Sequence, residues 1–388
     1  MAQPLPKTVR RLGLVSLLTD VSSEMIFPLL PAFLTGPLRA GPAFLGVVEG
    51  LAEMTASVLR IVSGTLSDRL PRRKPLVVAG YGLASLTRPL MAVAMVPWHV
   101  LVIRVADRIG KGTRGAPRDA LIAEATPAEE RGRAYGFHRA MDHAGAAVGP
   151  VLASLILFAG GDMRLVFALA AIPALLSVAV LVFGVEEAPR VRQDPPRLKE
   201  EAAPASRTFI TYLVVLGLFT LGNSSDAFLL LRAQEVGVSA AALPLLWAFH
   251  QLAKSALSTH GGALSDWMGR KSAIAGGWAV YALAYVGFAQ AGRPLEIWGL
   301  FLLYAGHHAL SEGPEKALVA DLVPAAARGR AFGSYHAVSG MTLLPASVLM
   351  GWLWQAHGSS LAFVVGATLA AAATVALAAV RVSPDDLS

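Results

Sequence analysis

Twelve apolar stretches, each about 20–25 residues long, follow one another almost without pause through the chain. They lie near 11–35, 43–66, 75–95, 98–121, 134–158, 163–184, 209–233, 242–264, 272–291, 296–320, 332–355 and 360–381. A hydrocarbon core about 30 Å thick is crossed by a helix of about 20 apolar residues. A helix also satisfies every backbone N–H and C=O within its own segment, which a lipid surrounding demands. The pattern therefore predicts an all-α integral membrane protein. Composition agrees: 55% of the 388 residues are hydrophobic and 15% charged, against roughly 25% charged in a soluble domain.

Two classes of chemistry drop out early. The chain has no cysteine, so neither a disulfide framework nor a thiolate metal site is available. No HExxH, GxSxG, phosphate-binding loop or strand-borne GxGxxG occurs, and no nucleophile–base pair stands out, so no enzyme is expected. The opening MAQPLPKTVRRLGLVSLL has the basic patch and apolar run of a signal peptide. The run continues past Asp20 and Glu24 for a full span without a small-residue cleavage site, which predicts a retained first helix.

Lys and Arg set the expected orientation. Lys7, Arg10 and Arg11 precede the first span; Arg69, Arg72, Arg73 and Lys74 follow the second; Arg131 and Arg133 follow the fourth. The connector 185–208 and the loops bearing Arg270, Lys271, Arg328 and Arg330 are basic too, while the intervening loops are nearly uncharged. By the positive-inside rule both termini and the connector face the cytoplasm. The net charge of +7 then belongs to the inner membrane face, and a nucleic-acid partner is not expected. High Ala, Gly, Pro and Arg with few Lys points to a bacterial cytoplasmic membrane.

The chain also repeats itself. SGTLSDRLPRRK at 63–74 returns as GGALSDWMGRK at 261–271, with Asp68 and Asp266 198 residues apart. RDALIAEATPAEERGRAYGFHRA (118–140) matches EKALVADLVPAAARGRAFGSYHA (315–337) at an offset of 197. Ser22-Ser23-Glu24 in the first span matches Ser224-Ser225-Asp226 in the seventh at 202. Three matches in one order at nearly one spacing mean a duplicated unit of six helices. The expected organisation is a bundle over 1–184, a linker over 185–208 and a second bundle over 209–388.

GTLSDRLPRRK and GALSDWMGRK resemble the loop motif that follows helices 2 and 8 in the major facilitator superfamily. With twelve spans and a six-plus-six repeat, the resemblance covers the whole chain and implies that fold. Pro71 departs from the motif in the first copy, where Gly269 keeps it in the second. The resemblance implies a secondary transporter working by alternating access, mostly monomeric in this superfamily, powered by a proton gradient and without a cofactor. Gly64, Asp68, Arg69, Arg72 and Arg73, with Gly262, Asp266, Gly269, Arg270 and Lys271, would act as a loop latch, the acid pairing with an adjacent helix in one state.

Charges inside the spans are the remaining anomaly, since each costs several kcal/mol unless paired, solvated or functional. Asp20 and Glu24 lie four residues apart on one face of the first helix. The fourth, RVADRIGKGTRGAPRDAL, gathers Arg104, Arg108, Lys111 and Arg118 within about 80° of its circumference, too cationic a stripe to face lipid. It resembles the superfamily's helix-4 motif, which implies that Arg104 or Arg108 serves proton transfer. His138 and Asp142 stand in the fifth helix and Asp226 in the seventh. Helices 1 and 7 line the cavity in this superfamily, so Asp20, Glu24 and Asp226 are the expected proton- and substrate-binding acids. Trp247, Phe249, Phe228 and Tyr304 would supply apolar walls. The repeat exchanges signs at Arg118-Asp119 and Glu315-Lys316, which predicts attraction between the two bundles in one state. Gly145-x-x-x-Gly149-Pro150 resembles the superfamily's antiporter motif and implies export, although small residues also serve plain helix packing.

Three substrate classes fit a small-molecule or ion transporter in a lipid bilayer. Small organic, drug-like compounds exported against protons are the first expectation. A nickel-type transition metal held by His250, His307 and His308 is an alternative, weakened by the divergent directions of adjacent histidines on a helix. A small anionic metabolite facing the helix-4 stripe is the third.

Overall fold

A computed structural model describes residues 4–127, 130–187, 206–324 and 327–380. Among the described residues all regular structure is helical, in twelve successive segments. These are α1 (Lys7–Thr35), α2 (Pro42–Arg69), α3 (Lys74–Val93), α4 (Pro97–Glu124), α5 (Arg131–Phe158) and α6 (Met163–Gly184). The repeat continues as α7 (Arg207–Glu235), α8 (Leu243–Met268), α9 (Arg270–Gln290), α10 (Pro294–Asp321), α11 (Arg328–His357) and α12 (Ser359–Ala379). Eight are long and apolar enough to cross a membrane on length and composition. The other four are α2, α4, α8 and α10, at 26 to 28 residues. They are the two repeat-related pairs, and they carry Glu49, Glu53, the helix-4 cations, His250, Lys254, His307, His308 and Glu312. Most of the predicted linker 185–208 lies outside the described residues.

The span limits read from the sequence hold to within about four residues, but several helices are not continuous. In α1, Phe27–Leu29 tightens into a 3-10 turn at Pro28, whose ring nitrogen donates no hydrogen bond. The break in α7 is sharper. Its first part ends at Gly222, Asn223 adopts φ −97° and ψ 85°, and the helix restarts after Asp226. Asn, Ser and Asp side chains compete with the backbone ladder for hydrogen bonds, and here the Ser225 hydroxyl accepts from the Ala227 N–H at 3.3 Å. The two loop motifs turn differently as well. The second connects α8 to α9 through Gly269 alone, at φ +85°, a left-handed conformation that favours glycine. The first is one residue longer and turns through residues 70–73, so Pro71 can replace glycine.

Two compact units emerge. The first comprises 1–39, 51–197 and 240–248, and the second 40–50, 198–239 and 249–388. The first turns of α2 thus count with the second unit, and the first turns of α8 with the first.

Glycines fix the helix spacing inside each unit. In the first, a Cβ on Gly80 would stand 2.7 Å from the Gly110 carbonyl oxygen, so α3 and α4 touch backbone to backbone. At an offset of 197, Gly277 of α9 faces the His307 carbonyl of α10 at 3.2 Å, the same contact one repeat later. Gly145 and Gly149 of α5 face α1, where added Cβ atoms would lie 2.5 Å from the Leu17 and Val21 carbonyl oxygens. The same two glycines lie against the Cβ atoms of Asp20 and Glu24. The small-residue motif thus sets the height and depth of both acids.

Gly149→Ala must push α1 away from α5, and overpacking of this kind costs about 1–3 kcal/mol. We expect a clear fall in thermal stability in detergent for that variant and none for Gly136→Ala, where a Cβ meets nothing within 4 Å.

Candidate functional site

The first unit buries an ionic lattice centred on α4. Arg88, Arg104, Asp107, Arg108 and Arg114 are each less than a tenth exposed. Arg88 of α3 donates from Nε to Asp107 Oδ1 at 2.8 Å and from NH1 to the Thr19 carbonyl of α1, also at 2.8 Å. Asp107 lies 4.0 Å from Arg104 and 3.9 Å from Arg108. Arg108 also meets Glu53 of α2 at 3.1 Å. Arg104 sits over the Phe27 ring at 5.8 Å and Arg114 over the Tyr81 ring at 4.2 Å. Arg104, Arg108 and Arg114 therefore meet acids and aromatic rings of their own unit.

Around this lattice the acids differ in how firmly they are held. Glu24 accepts from the Trp247 indole N–H at 2.7 Å, and the Trp247 ring packs 5.0 Å from Phe27. Asp142 accepts from the Ser16 hydroxyl and lies 3.5 Å from His138 Nδ1 and 3.9 Å from Arg139. Asp20 is half-buried, and no hydrogen bond or ion pair reaches its carboxylate among the described residues. Lys111, half-buried on α4, likewise makes neither, although it stands within electrostatic reach of Asp20.

In the second unit the same positions are filled by uncharged side chains. Tyr304, the repeat equivalent of Asp107 at an offset of 197, donates to Asp226 Oδ1 at 2.6 Å. Tyr285, equivalent to Arg88, lies 3.3 Å from the Ser224 hydroxyl, and Tyr281 donates to the Gly222 carbonyl at 2.9 Å. These tyrosines satisfy the polar groups opened by the break in α7. Ser225 there donates to Glu49 Oε2 at 3.4 Å. Glu315 is buried and accepts from Trp278 Nε1 at 2.9 Å and Tyr335 OH at 2.7 Å.

Several sequence expectations are refined by these contacts. Trp247 and Tyr304, expected as apolar walls, act through polar edges as donors to Glu24 and Asp226. Phe228 packs against Trp354 at 5.7 Å and Phe249 against Trp298 at 5.4 Å. Arg118 forks onto neighbouring Asp119 at 2.8 and 3.0 Å, so Arg118 and Glu315 each find partners within their own unit; Lys316 is exposed. His250 and His307 turn Nδ1 to the Phe301 and Gly277 carbonyls at 3.1 and 2.9 Å, while His308 lies 3.3 Å from Glu312. Among the described residues no three His, Cys, Asp or Glu side chains are grouped so as to hold one metal ion.

At the loop motifs the pairing partner is basic. Arg73 reaches Ser67 at 3.0 Å and Glu124, at the end of α4, at 2.5 Å. Arg270 meets Asp321, at the end of α10, at 2.8 Å, and both partners of this pair lie 197 residues after those of the first. Arg69, Arg72 and Asp266 are exposed, and Lys271 donates to the Ala378 carbonyl at 2.8 Å. The side chain of Asp68 lies outside the described residues. Gly64 faces Ala116 at 3.7 Å, but in the second copy Gly262 faces open space and Gly261 presses on Ala309. Gly261 stands 198 residues after Ser63, whose hydroxyl donates to the Gly112 carbonyl where Gly261 presses on that of Ala309.

The comparisons with known proteins agree with this architecture. The Major Facilitator Superfamily model matches residues 12–306 and 208–387. An uncharacterised MFS-type transporter of Methanocaldococcus jannaschii is 34% identical over 379 residues, 94% of each chain. The multidrug resistance protein MdtH of Cronobacter sakazakii is 27% identical over 365 residues, 89% of this chain and 88% of that one. A bacterial homologue of the human lysosomal transporter Spinster, solved inward-facing and unoccupied, superposes with a TM-score of 0.77 at 17% identity, over 97% of this chain and 98% of that one.

Removing one partner from a buried ion pair costs about 3–5 kcal/mol, whereas an apolar replacement of the whole pair is often neutral. Asp107→Ala, which strands Arg88, should therefore sharply lower the unfolding temperature in detergent. Arg88→Met with Asp107→Leu should recover most of the loss.

Proposed function

Because this chain belongs to the major facilitator superfamily and is a multi-pass membrane transporter, we propose that it exports small organic compounds in exchange for protons by alternating access. The observation that carries this reading is the contrast between Asp20 and the acids around it. Glu24, Glu53, Asp107 and Asp142 are each held by a donor or a cation, whereas Asp20 is half-buried without one. A carboxylate free of fixed partners can change its protonation state without dismantling the surrounding packing. Arg114 and Lys111 of α4 are cations within electrostatic reach of Asp20.

Glu24, one turn away, supplies the second acid, and Phe27 and Trp247 give an aromatic surface beside it for an organic substrate. Asp226 takes the corresponding place in the repeat. Alternating access at a site formed by discontinuous helices is a recurring transporter device, and the broken α7 supports it here. The relationship to a multidrug resistance protein and the resemblance of Gly145, Gly149 and Pro150 to an antiporter motif support export. In this reading a single chain works in a bacterial cytoplasmic membrane with both termini inside, and the halves 1–184 and 209–388 are the two moving bundles.

The test is transport into proteoliposomes under an imposed pH gradient, with compounds chosen from a growth screen of a sensitised host. Asp20→Asn with Glu24→Gln should abolish gradient-driven accumulation while the unfolding temperature stays near that of the parent. Full accumulation by the double variant would overturn the coupling assignment.

A further inference from the structure

The repeat builds the same donor cluster twice but gives it a carboxylate only once. In the second unit Trp278 of α9 and Tyr335 of α11 converge on Glu315 of α10, at 2.9 and 2.7 Å. Counting back 197 residues gives Tyr81 of α3, His138 of α5 and Arg118 of α4. The correspondence is physical as well as sequential. Gly80, beside Tyr81, packs on α4 as Gly277, beside Trp278, packs on α10. Where the second unit has an acid, the first has Arg118, which forks onto Asp119.

The donors of the first unit are consequently left without their acceptor. The Tyr81 hydroxyl, Arg114 NH1 and His138 Nε2 are all shut off from solvent, and none has a hydrogen-bond partner. Their residues are 0%, 5% and 3% exposed. The Arg114 guanidinium lies 4.2 Å over the Tyr81 ring, and Arg118 is within electrostatic reach of both Tyr81 and Asp142, the neighbour of His138. An unpaired buried polar group costs about 1–3 kcal/mol, and one such group in a native fold points to a missing water, ion or ligand. Two of them, on Tyr81 and His138, stand at the repeat positions of the donors that hold Glu315 in the sister unit, and the third, on Arg114, belongs to the guanidinium over the Tyr81 ring.

We infer that Tyr81, Arg114 and His138 form a binding subsite for a carboxylate group brought by a ligand, occupying in the first unit the position that Glu315 fills in the second. Tyr81 donates its hydroxyl proton to one carboxylate oxygen and Arg114 donates N–H to the other, a charge-assisted contact of the stronger kind. His138 turns Nδ1 to Asp142 and leaves Nε2 as the third buried polar atom without a partner. The inference rests on the transporter reading only for its consequence, that the exported compounds include organic acids.

Sodium benzoate is the probe, with benzamide as its uncharged analogue and inorganic phosphate as a non-planar oxyanion. Binding to the purified full-length protein is measured by calorimetry and by the shift in unfolding temperature. Benzoate should bind and benzamide should not. Arg114→Gln and Tyr81→Phe should each weaken benzoate at least about tenfold, and Arg10→Gln, an exposed cation on α1, should leave it unchanged. Arg118→Glu should install the carboxylate found in the sister unit, raising the unfolding temperature and abolishing benzoate binding. Absence of benzoate binding at about 10 mM, equal binding by Arg114→Gln, or preference for phosphate would overturn the inference, leaving ordered water as the occupant. Benzoate bound but never accumulated under a pH gradient would instead count against the coupling mechanism and leave this subsite standing.

Discussion

A guanidinium taken out of water must have its charge answered by the protein, and the first unit is arranged around that requirement. Arg88 reaches across from α3 to bind both a carboxylate of α4 and a backbone carbonyl of α1. One side chain thereby ties three helices together, and Asp107 stands at the centre of three arginines. In a low-dielectric interior such pairs gain little over an apolar core but are expensive to leave half made. The lattice consequently works less as a source of stability than as a specification of which helix stands where. Asp20 and Lys111 are conspicuous because they lie beside this lattice and are not bound into it.

Much of this architecture is legible in the sequence because a bilayer leaves few solutions. Segment length marks out the twelve helical segments, eight of them long and apolar enough to cross a membrane, and the repeated loop motif and the 197-residue offset announce the duplication. Gly145 and Gly149 could be recognised as a packing motif, and they do carry α1 at the level of Asp20 and Glu24. The partners of the charges were less readable. Nothing in the local sequence says that Trp247 serves Glu24 across 223 residues, or that Tyr304 serves Asp226. Both tryptophan and tyrosine pair a large apolar body with a polar edge, and hydropathy records the body alone. The break in α7 had a signal in Gly222-Asn223-Ser224-Ser225-Asp226, a run of turn-forming residues inside an apolar span. It is concealed because the flanking residues are apolar enough to read as one helix.

Residue by residue, the two units share a frame and differ in what it encloses. The glycine contacts of α3 with α4 and of α9 with α10 survive in both, as do Arg73 with Glu124 and Arg270 with Asp321. The interior has diverged: arginine and aspartate in one unit correspond to tyrosine in the other. The frame is therefore preserved while the polar chemistry it encloses is not. The asymmetry at Tyr81, His138 and Arg118 belongs to the same divergence.

That divergence bears on how such a chain could have arisen. Two identical halves would have had either a double set of buried arginines or none, because each ion pair depends on a residue that its counterpart lacks. Once Asp107 and Tyr304 had parted in character, each half became committed to its own neighbours, and a gene fusing two first halves would no longer encode an equivalent interior. The chain has passed the point at which its halves are interchangeable modules.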